Sequence, residues 1–462
     1  MRRRDFLKGM GAGAALASCP GCALPFGGSG LARPSARQLA WHEQELGMFF
    51  HFDIPIWKPG WNWRSWKDSP SPSLYNPMRL DTDQWMEAAR AMGAKYVVLV
   101  AKHCSGFLQW QSDLYDYGVR QSPWRGGKGD LVRDFTDSAR RYGLKPGLYA
   151  SVSANGWLGV DNPGLVNRGK GGDAEAQRRY ARVCERMAEE LWTRYGELFE
   201  IWFDGGALPP DRGGPDLVPI LERHQPGAIL FQGPTGANNL IRWVGNERGV
   251  APYPCWGATN TLTAEGGDAE GRFPGDPEGR YWAPGECDVP VRRHAWFWDD
   301  ESKPHAWRYW TDAELMDMYE RSVGRNCNLL LNANPNTDGL VPETDFAQYR
   351  RFGAAVRARF GHPFATAGGA GDVLPLALPA VSEIDRLVIQ EDISEGHRIR
   401  AYRVEGERPE GGFTTLCSGS CVGHKRIETF AKTAVRSLRL VIETSVGRPV
   451  VRQFAAFRGG RA

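Results

Sequence analysis

The sequence predicts an α/β chain: a TIM-like (β/α)8 barrel followed by a C-terminal antiparallel β-sandwich. Two observations carry this expectation. From Trp41 to about Gly361, short apolar runs alternate with longer helical stretches. Such alternation over roughly 250–320 residues suits a closed parallel barrel. After Gly361 the apolar period changes to two, as in strands covered on one face. The 462 residues are 42% hydrophobic and 24% charged, an ordinary globular balance that excludes disordered and collagen-like chains.

Taken in order, residues 1–36 read as signal and linker. Arg2-Arg3-Arg4-Asp5-Phe6-Leu7-Lys8 precedes a weakly hydrophobic stretch, Gly9 to Ala17. A charged region followed by a short apolar one is an export signal, and the paired arginines resemble the bacterial twin-arginine type. Leu16-Ala17-Ser18-Cys19 resembles a lipobox, which implies lipidation of Cys19 and a lipid anchor. A plain signal cleaved nearby is the alternative. The expected location is exported, in the periplasm or at the outer membrane of a bacterium. The apolar stretch falls far short of the roughly 20 residues a membrane span needs. Residues 20–36, rich in Gly, Pro, Ser and Ala, suit a flexible tether.

Residues 37–361 form the expected barrel. Runs 47–52, 96–100, 147–151 and 198–203 are short, apolar and rich in β-branched or aromatic residues, as buried strands are. Helical patterns occupy 83–92, 131–142 and 175–195, the first opened by an acidic cap. Residues 205–295 are richer in Gly, Pro and Asn, as expected of long loops on the site face. The changeover falls within 362–374, and 362–462 is the expected sandwich, with alternation at 384–389, 397–402, 426–430 and 437–442.

Composition narrows the function. Lys and Arg total 57 against 54 Asp and Glu, a net charge of +3, so there is no basic excess for nucleic acid. Eighteen tryptophans stand beside 14 Tyr and 20 Phe; flat rings suit sugar faces, although most fill a large core. Of nine cysteines, Cys417 and Cys421 are close enough in sequence to pair, while most others read as small buried hydrophobes. No set of three or four ligands at metal spacing stands out, so neither metal nor organic cofactor is expected.

Catalytic groups of a barrel gather where strands end. Glu200-Ile201-Trp202-Phe203-Asp204-Gly205-Gly206 stops an apolar run at an acid followed by two glycines. Trp202 lies on the same side of the strand as Asp204, so the pair reads as sugar floor plus nucleophile. The competing reading is a helix cap. A glycosidase needs a second acid, about 5.5 Å away for retention or about 6.5–9.5 Å for inversion. Glu247, in Trp243-Val244-Gly245-Asn246-Glu247, and Glu286, in Pro284-Gly285-Glu286-Cys287-Asp288, are the two candidates, both in loop-like sequence. His51 and His103 end strand-like runs, where imidazoles either bond sugar hydroxyls or serve structure.

Several motifs in order resemble glycoside hydrolase family 29, the retaining α-L-fucosidases: Gly47 to His51, Tyr96 to Trp110, Leu191 to Asp204, and Ser322 to Asn332. Glu286-Cys287-Asp288, Trp296-Phe297-Trp298 and Gln390 to Ile393 resemble the plant-type branch acting on α-1,3/1,4-linked fucose. The resemblance implies Asp204 as nucleophile and Glu247 as acid/base, with Glu286 the alternative. It places His51, His103, Tyr149, Trp202, Glu286 and Trp63 or Trp66 at the sugar, and a fucosylated oligosaccharide or glycan as partner. One departure stands out. The family usually carries a His-His-Asp run where this chain has His103-Cys104-Ser105. That leaves open a related sugar such as an α-L-galactoside, or a catalytically impaired sugar-binding lipoprotein.

Overall fold

The computed structural model describes residues 30–62, 68–167, 173–262, 273–299 and 309–458. Cys19, Trp63 and Trp66 lie outside these residues. The barrel strands are β1 (Leu46–Phe50), β2 (Tyr96–Lys102), β3 (Lys145–Ala150), β4 (Glu200–Trp202), β5 (Ile229–Phe231), β6 (Leu240–Trp243), β7 (Gly285–Pro290) and β8 (Cys327–Ala333). They pair in parallel, each with its sequence neighbours, and β8 closes onto β1. All eight C-terminal ends therefore share one rim.

Helices α1 (Ala36–His42), α2 (Thr82–Met92), α3 (Leu131–Arg141), α4 (Ala174–Arg194), α5 (Val218–His224), α6 (Asp312–Ser322) and α7 (Glu343–Phe360) complete the barrel. Their starts follow from capping: Asp81, Asp130 and Asp173 accept hydrogen bonds from the first-turn amides of α2, α3 and α4. Thr311 and Glu314 form a capping box on α6. Among the described residues no helix follows β5 or β6, which matches the Gly- and Pro-rich composition there.

Strand alternation sorts the apolar side chains into two cores. Outward residues such as Met48, Val97, Leu99, Leu148, Ile201 and Phe203 pack against the helices. Inward residues Phe49, Tyr96, Val98, Val100, Tyr149, Trp202, Phe231, Ile241 and Leu330 fill the barrel, joined by Trp41 from α1.

The C-terminal strands are β9 (Ala365–Ala370), β10 (Val373–Glu391), β11 (Ile399–Glu407), β12 (Phe413–Gly419), β13 (Arg426–Ser445) and β14 (Val450–Arg458). The two long strands serve both layers of the sandwich. The second half of β10 pairs with β14 and the first half of β13. Its first half pairs with the second half of β13, which also pairs with β11. Bulges at Ala377/Ser382 and Ile384/Arg386 mark the crossing. Residues 365–370, expected within the changeover, are strand: Ala-Thr-Ala-Gly-Gly-Ala lacks apolar alternation, yet its backbone pairs with β14. Cys417 and Cys421 are both free thiols, so the pairing considered for them is not formed.

Candidate active site

Each rim residue is delivered by a strand end. His51 follows β1, His103 follows β2, Tyr149 lies near the end of β3, and Asp204 stands two residues past β4. Gly205 and Gly206 both adopt φ near +75°, the left-handed region that reverses the chain directly after Asp204. A Cβ on Gly205 would meet the Asn162 side-chain amide nitrogen at 2.4 Å, so a side chain there would also displace Asn162.

These residues form one connected group. The Tyr149 hydroxyl donates to Asp204 Oδ2 at 3.3 Å. Ser153 Oγ donates to the Asp204 carbonyl at 2.5 Å, fixing the backbone that presents the carboxylate. The loop carrying Ser153 is held in turn by buried Lys102, whose Nζ donates to the carbonyls of Ser151 and Ala154 at 2.6 Å each. Ring centroids lie 5.9 Å apart for His51 and His103, and 5.6 Å for His103 and Tyr149. Asp204 is half-buried and open to the rim.

Glu247, half-buried in the loop after β6, joins through Trp296. The indole Nε1 donates to Glu247 Oε2 at 3.2 Å, while the same ring packs 4.9 Å from His51. Asn332 on β8 fixes that contact twice: Oδ1 lies 2.6 Å from His51 Nδ1, and Nδ2 donates to the Trp296 carbonyl at 2.9 Å. The loop bearing Trp296 is anchored by a fully buried ion pair, Arg292 Nε to Asp345 Oδ2 at 2.8 Å, reaching the first turn of α7. Trp296, Asn332 and Ser153 were not singled out as site residues from sequence. Trp296 and Asn332 stood within motifs that carry the family resemblance, whereas Ser153 gave no signal apart from lying just past a strand end.

The electrostatics follow from depth. Burial, and then the neighbouring His103, hold His51 well below the usual imidazole range, so it is neutral. Burial and the Asp204 charge raise the Tyr149 phenol, which keeps it a donor. The same two causes push the Cys104 thiol up to about 12.

Glu286 goes elsewhere. It is not in a loop but on β7, pointing inward and fully buried. Pro284 and Gly285 give the segment a loop-like flank, yet the backbone continues the parallel ladder with β6 and β8. Tyr96 donates to its Oε1 at 2.6 Å and Trp202 Nε1 to its Oε2 at 2.9 Å. Glu286 is thus a floor residue below Trp202, which removes it as a rim acid. Trp202 also differs from expectation. Its ring stacks on Phe231 at 3.7 Å and 4° and is only 6% exposed, so that face seals the interior and is not an open sugar platform.

One group of described side chains has metal-ligating atoms mutually within 4.8 Å: His103, Cys104 and Asp204. The sequence pattern did not reveal it, because Asp204 comes from a different strand. The trio can offer N, S and O donors to an ion; as a bare cluster it surrounds the half-open carboxylate with one imidazole and one small neutral thiol.

A strand-end carboxylate and a loop carboxylate, framed by imidazoles and aromatics at the C-terminal rim of a parallel barrel, are the kind of groups glycoside hydrolases use. Comparison with known proteins narrows the class. The family model for α-L-fucosidase matches residues 32–358, and the chain belongs to that family. It is 31% identical to α-L-fucosidase 1 of Arabidopsis thaliana over 90% of this chain and 86% of that one. It is 26% identical to human plasma α-L-fucosidase over 69% and 68% of the two chains. Among solved structures, a candidate α-L-fucosidase from Bacteroides thetaiotaomicron superposes with TM-score 0.86 at 37% identity, covering 93% of this chain and all of that one. A Ruminococcus gnavus family 29 fucosidase in complex with fucose shares the fold, with TM-score 0.78 at 22% identity over 94% and 97% of the chains.

Proposed function

We propose that this α-L-fucosidase family member releases terminal α-L-fucose from fucosylated oligosaccharides or glycans by double displacement with retention. Asp204 attacks the anomeric carbon while Glu247 protonates the departing oxygen. The fucosyl ester on Asp204 is then cleaved by water that Glu247 deprotonates. The observation that carries this reading is the Tyr149–Asp204 hydrogen bond at the rim. A neutral phenol aimed at the carboxylate orients it toward the pocket without taking its charge. His51, held neutral, and His103 stand where sugar hydroxyls would be bound, and Trp296 holds Glu247 near them. That a fold neighbour binds fucose agrees with this substrate. The α-1,3/1,4 preference rests on the motif resemblance to the plant-type branch, together with the Arabidopsis relative.

A second reading, hydrolysis of an α-L-galactoside, is favoured by Cys104. Its small thiol lies beside Asp204 where the resembled motif carries an imidazole. We further propose export by the twin-arginine-type signal, with a lipid on Cys19. Proton NMR of the first-formed sugar tests the mechanism. Retention predicts α-L-fucose before mutarotation; initial β-L-fucose contradicts it. Parallel assays of fucosyl and L-galactosyl substrates separate the two sugars.

A further inference from the structure

We infer that Trp157 is a stacking platform for the sugar that carries the fucose, forming a leaving-group subsite on the rim; this rests on the fucosidase reading of Asp204 and Glu247. Trp157 is 43% exposed, and no other described tryptophan is as open. One face of its indole lies parallel to Tyr117, with centroids 4.5 Å apart at 6°. Tyr117 itself is fully buried, so the stack is a rigid mount. The other face has water to meet. Leaving half an indole in water forfeits burial that a closed loop would gain, whereas a preoriented ring loses little freedom on binding.

Position supplies the occupant. Trp157 sits in the loop after β3, on the same rim as Asp204. Gly156 N donates to the Cys104 carbonyl at 2.7 Å, and Trp157 N to the Ser105 carbonyl at 3.2 Å. The loop is therefore stitched to the segment whose His103 and Cys104 line the nucleophile. The join needs Gly106, with φ +87°, where a Cβ would lie 2.3 Å from Asn155 Oδ1 and 3.1 Å from the Trp157 Cβ. Downward the pocket is shut by Trp202, Phe231 and Glu286. A sugar bonded to fucose must then leave the pocket outward over the rim loops. A pyranose offers an apolar C–H face, the partner an exposed indole lacks.

The test compares two substrates in wild type, Trp157→Ala and Trp157→Phe. α-L-Fucosyl fluoride has a leaving group too small to reach the indole. The second substrate is the best-cleaved of a set of trisaccharides bearing α-1,2-, α-1,3- or α-1,4-linked fucose. Trp157→Ala should raise the trisaccharide KM about ten-fold relative to the fluoride KM, as expected for losing one aromatic stack. Trp157→Phe should recover part of that rise. Partial misfolding lowers kcat for both substrates together and leaves the KM ratio alone. An unchanged ratio in Trp157→Ala overturns the platform, as does a wild type that cleaves the fluoride and no trisaccharide. A wild type that cleaves neither overturns the fucosidase reading itself.

Discussion

Strand β4 and its extension point three side chains into the barrel, Glu200, Trp202 and Asp204, and the two acids live in opposite worlds. Four residues of strand separate them by about 13 Å. Glu200 is fully buried near the N-terminal end, bonded by Trp41 Nε1 at 3.1 Å and set against Glu286. Burial first, and then Glu286, raise its carboxyl well above the usual range; burial alone pushes Glu286 up to about 7. Two adjacent buried carboxyls cannot both ionise, so the floor pair keeps at least one proton at neutral pH. Asp204, beyond the Trp202 seal, is half open and bonded by a phenol. Depth along one strand separates a structural carboxyl from the carboxylate proposed as nucleophile, with the residue chemistry almost unchanged.

The largest expected effect breaks the rim. Asp204→Ala should lower fucosyl fluoride hydrolysis by at least about 10⁴-fold, since the covalent step loses its nucleophile. Its melting temperature should stay near that of wild type, because the carboxylate is not part of the core. Next comes Glu247→Gln, with a loss of about 10²–10⁴-fold on oligosaccharides. The loss should be smaller for fucosyl fluoride in the first step, because fluoride leaves without a proton. Equal loss in the glycosylation of both substrates would place the acid elsewhere.

The floor answers to pH instead. A carboxyl whose folded pKa is raised binds protons in the native state that the unfolded chain has released, so stability falls as pH climbs toward the folded pKa. Buried His42, His51 and His397 are lowered, and their opposite effect is confined to pH below about 6.5. From pH 6.5 to 8, wild type should therefore lose stability on denaturant titration. Replacing both Glu200 and Glu286 by Gln should shrink that slope. Asp53 and Glu391, each pushed up to about 7 chiefly by burial, keep part of it. The smallest effect is Trp41→Phe, which deletes the donor to Glu200 and should cost about 1–3 kcal/mol of stability, leaving the fluoride KM unmoved.

The same contrast of rim and floor explains what the sequence disclosed. The rim position of Asp204 was legible because an apolar run ends on it and two glycines follow, a local pattern. The long helices were legible from their caps and periodicity: the pattern at 175–195 became Ala174–Arg194. Strand β5, three residues long, is too short to show a period. Glu286 was misplaced because Pro284 and Gly285 resemble a turn, while the ladder partners that make it strand come from residues some forty positions away. Trp202 was put on the correct side of its strand, but its depth is set by Phe231 on the neighbouring strand. The union of His103, Cys104 and Asp204, and the tie from Glu247 through Trp296 to His51, are tertiary facts with no local signature.

The central claim is that the rim carboxylate of β4, and neither floor carboxyl, bonds to the sugar. Incubation with 2-deoxy-2-fluoro-α-L-fucosyl fluoride, followed by peptide mass mapping, addresses it directly: the fluorine at C2 slows both formation and breakdown of a glycosyl ester, and the good fluoride leaving group keeps formation the faster step, so the ester accumulates. The account predicts one fluorofucosyl group on the peptide containing Asp204, absent in Asp204→Ala. A label on Glu247, Glu286 or Glu200, or turnover with no ester at all, would contradict it.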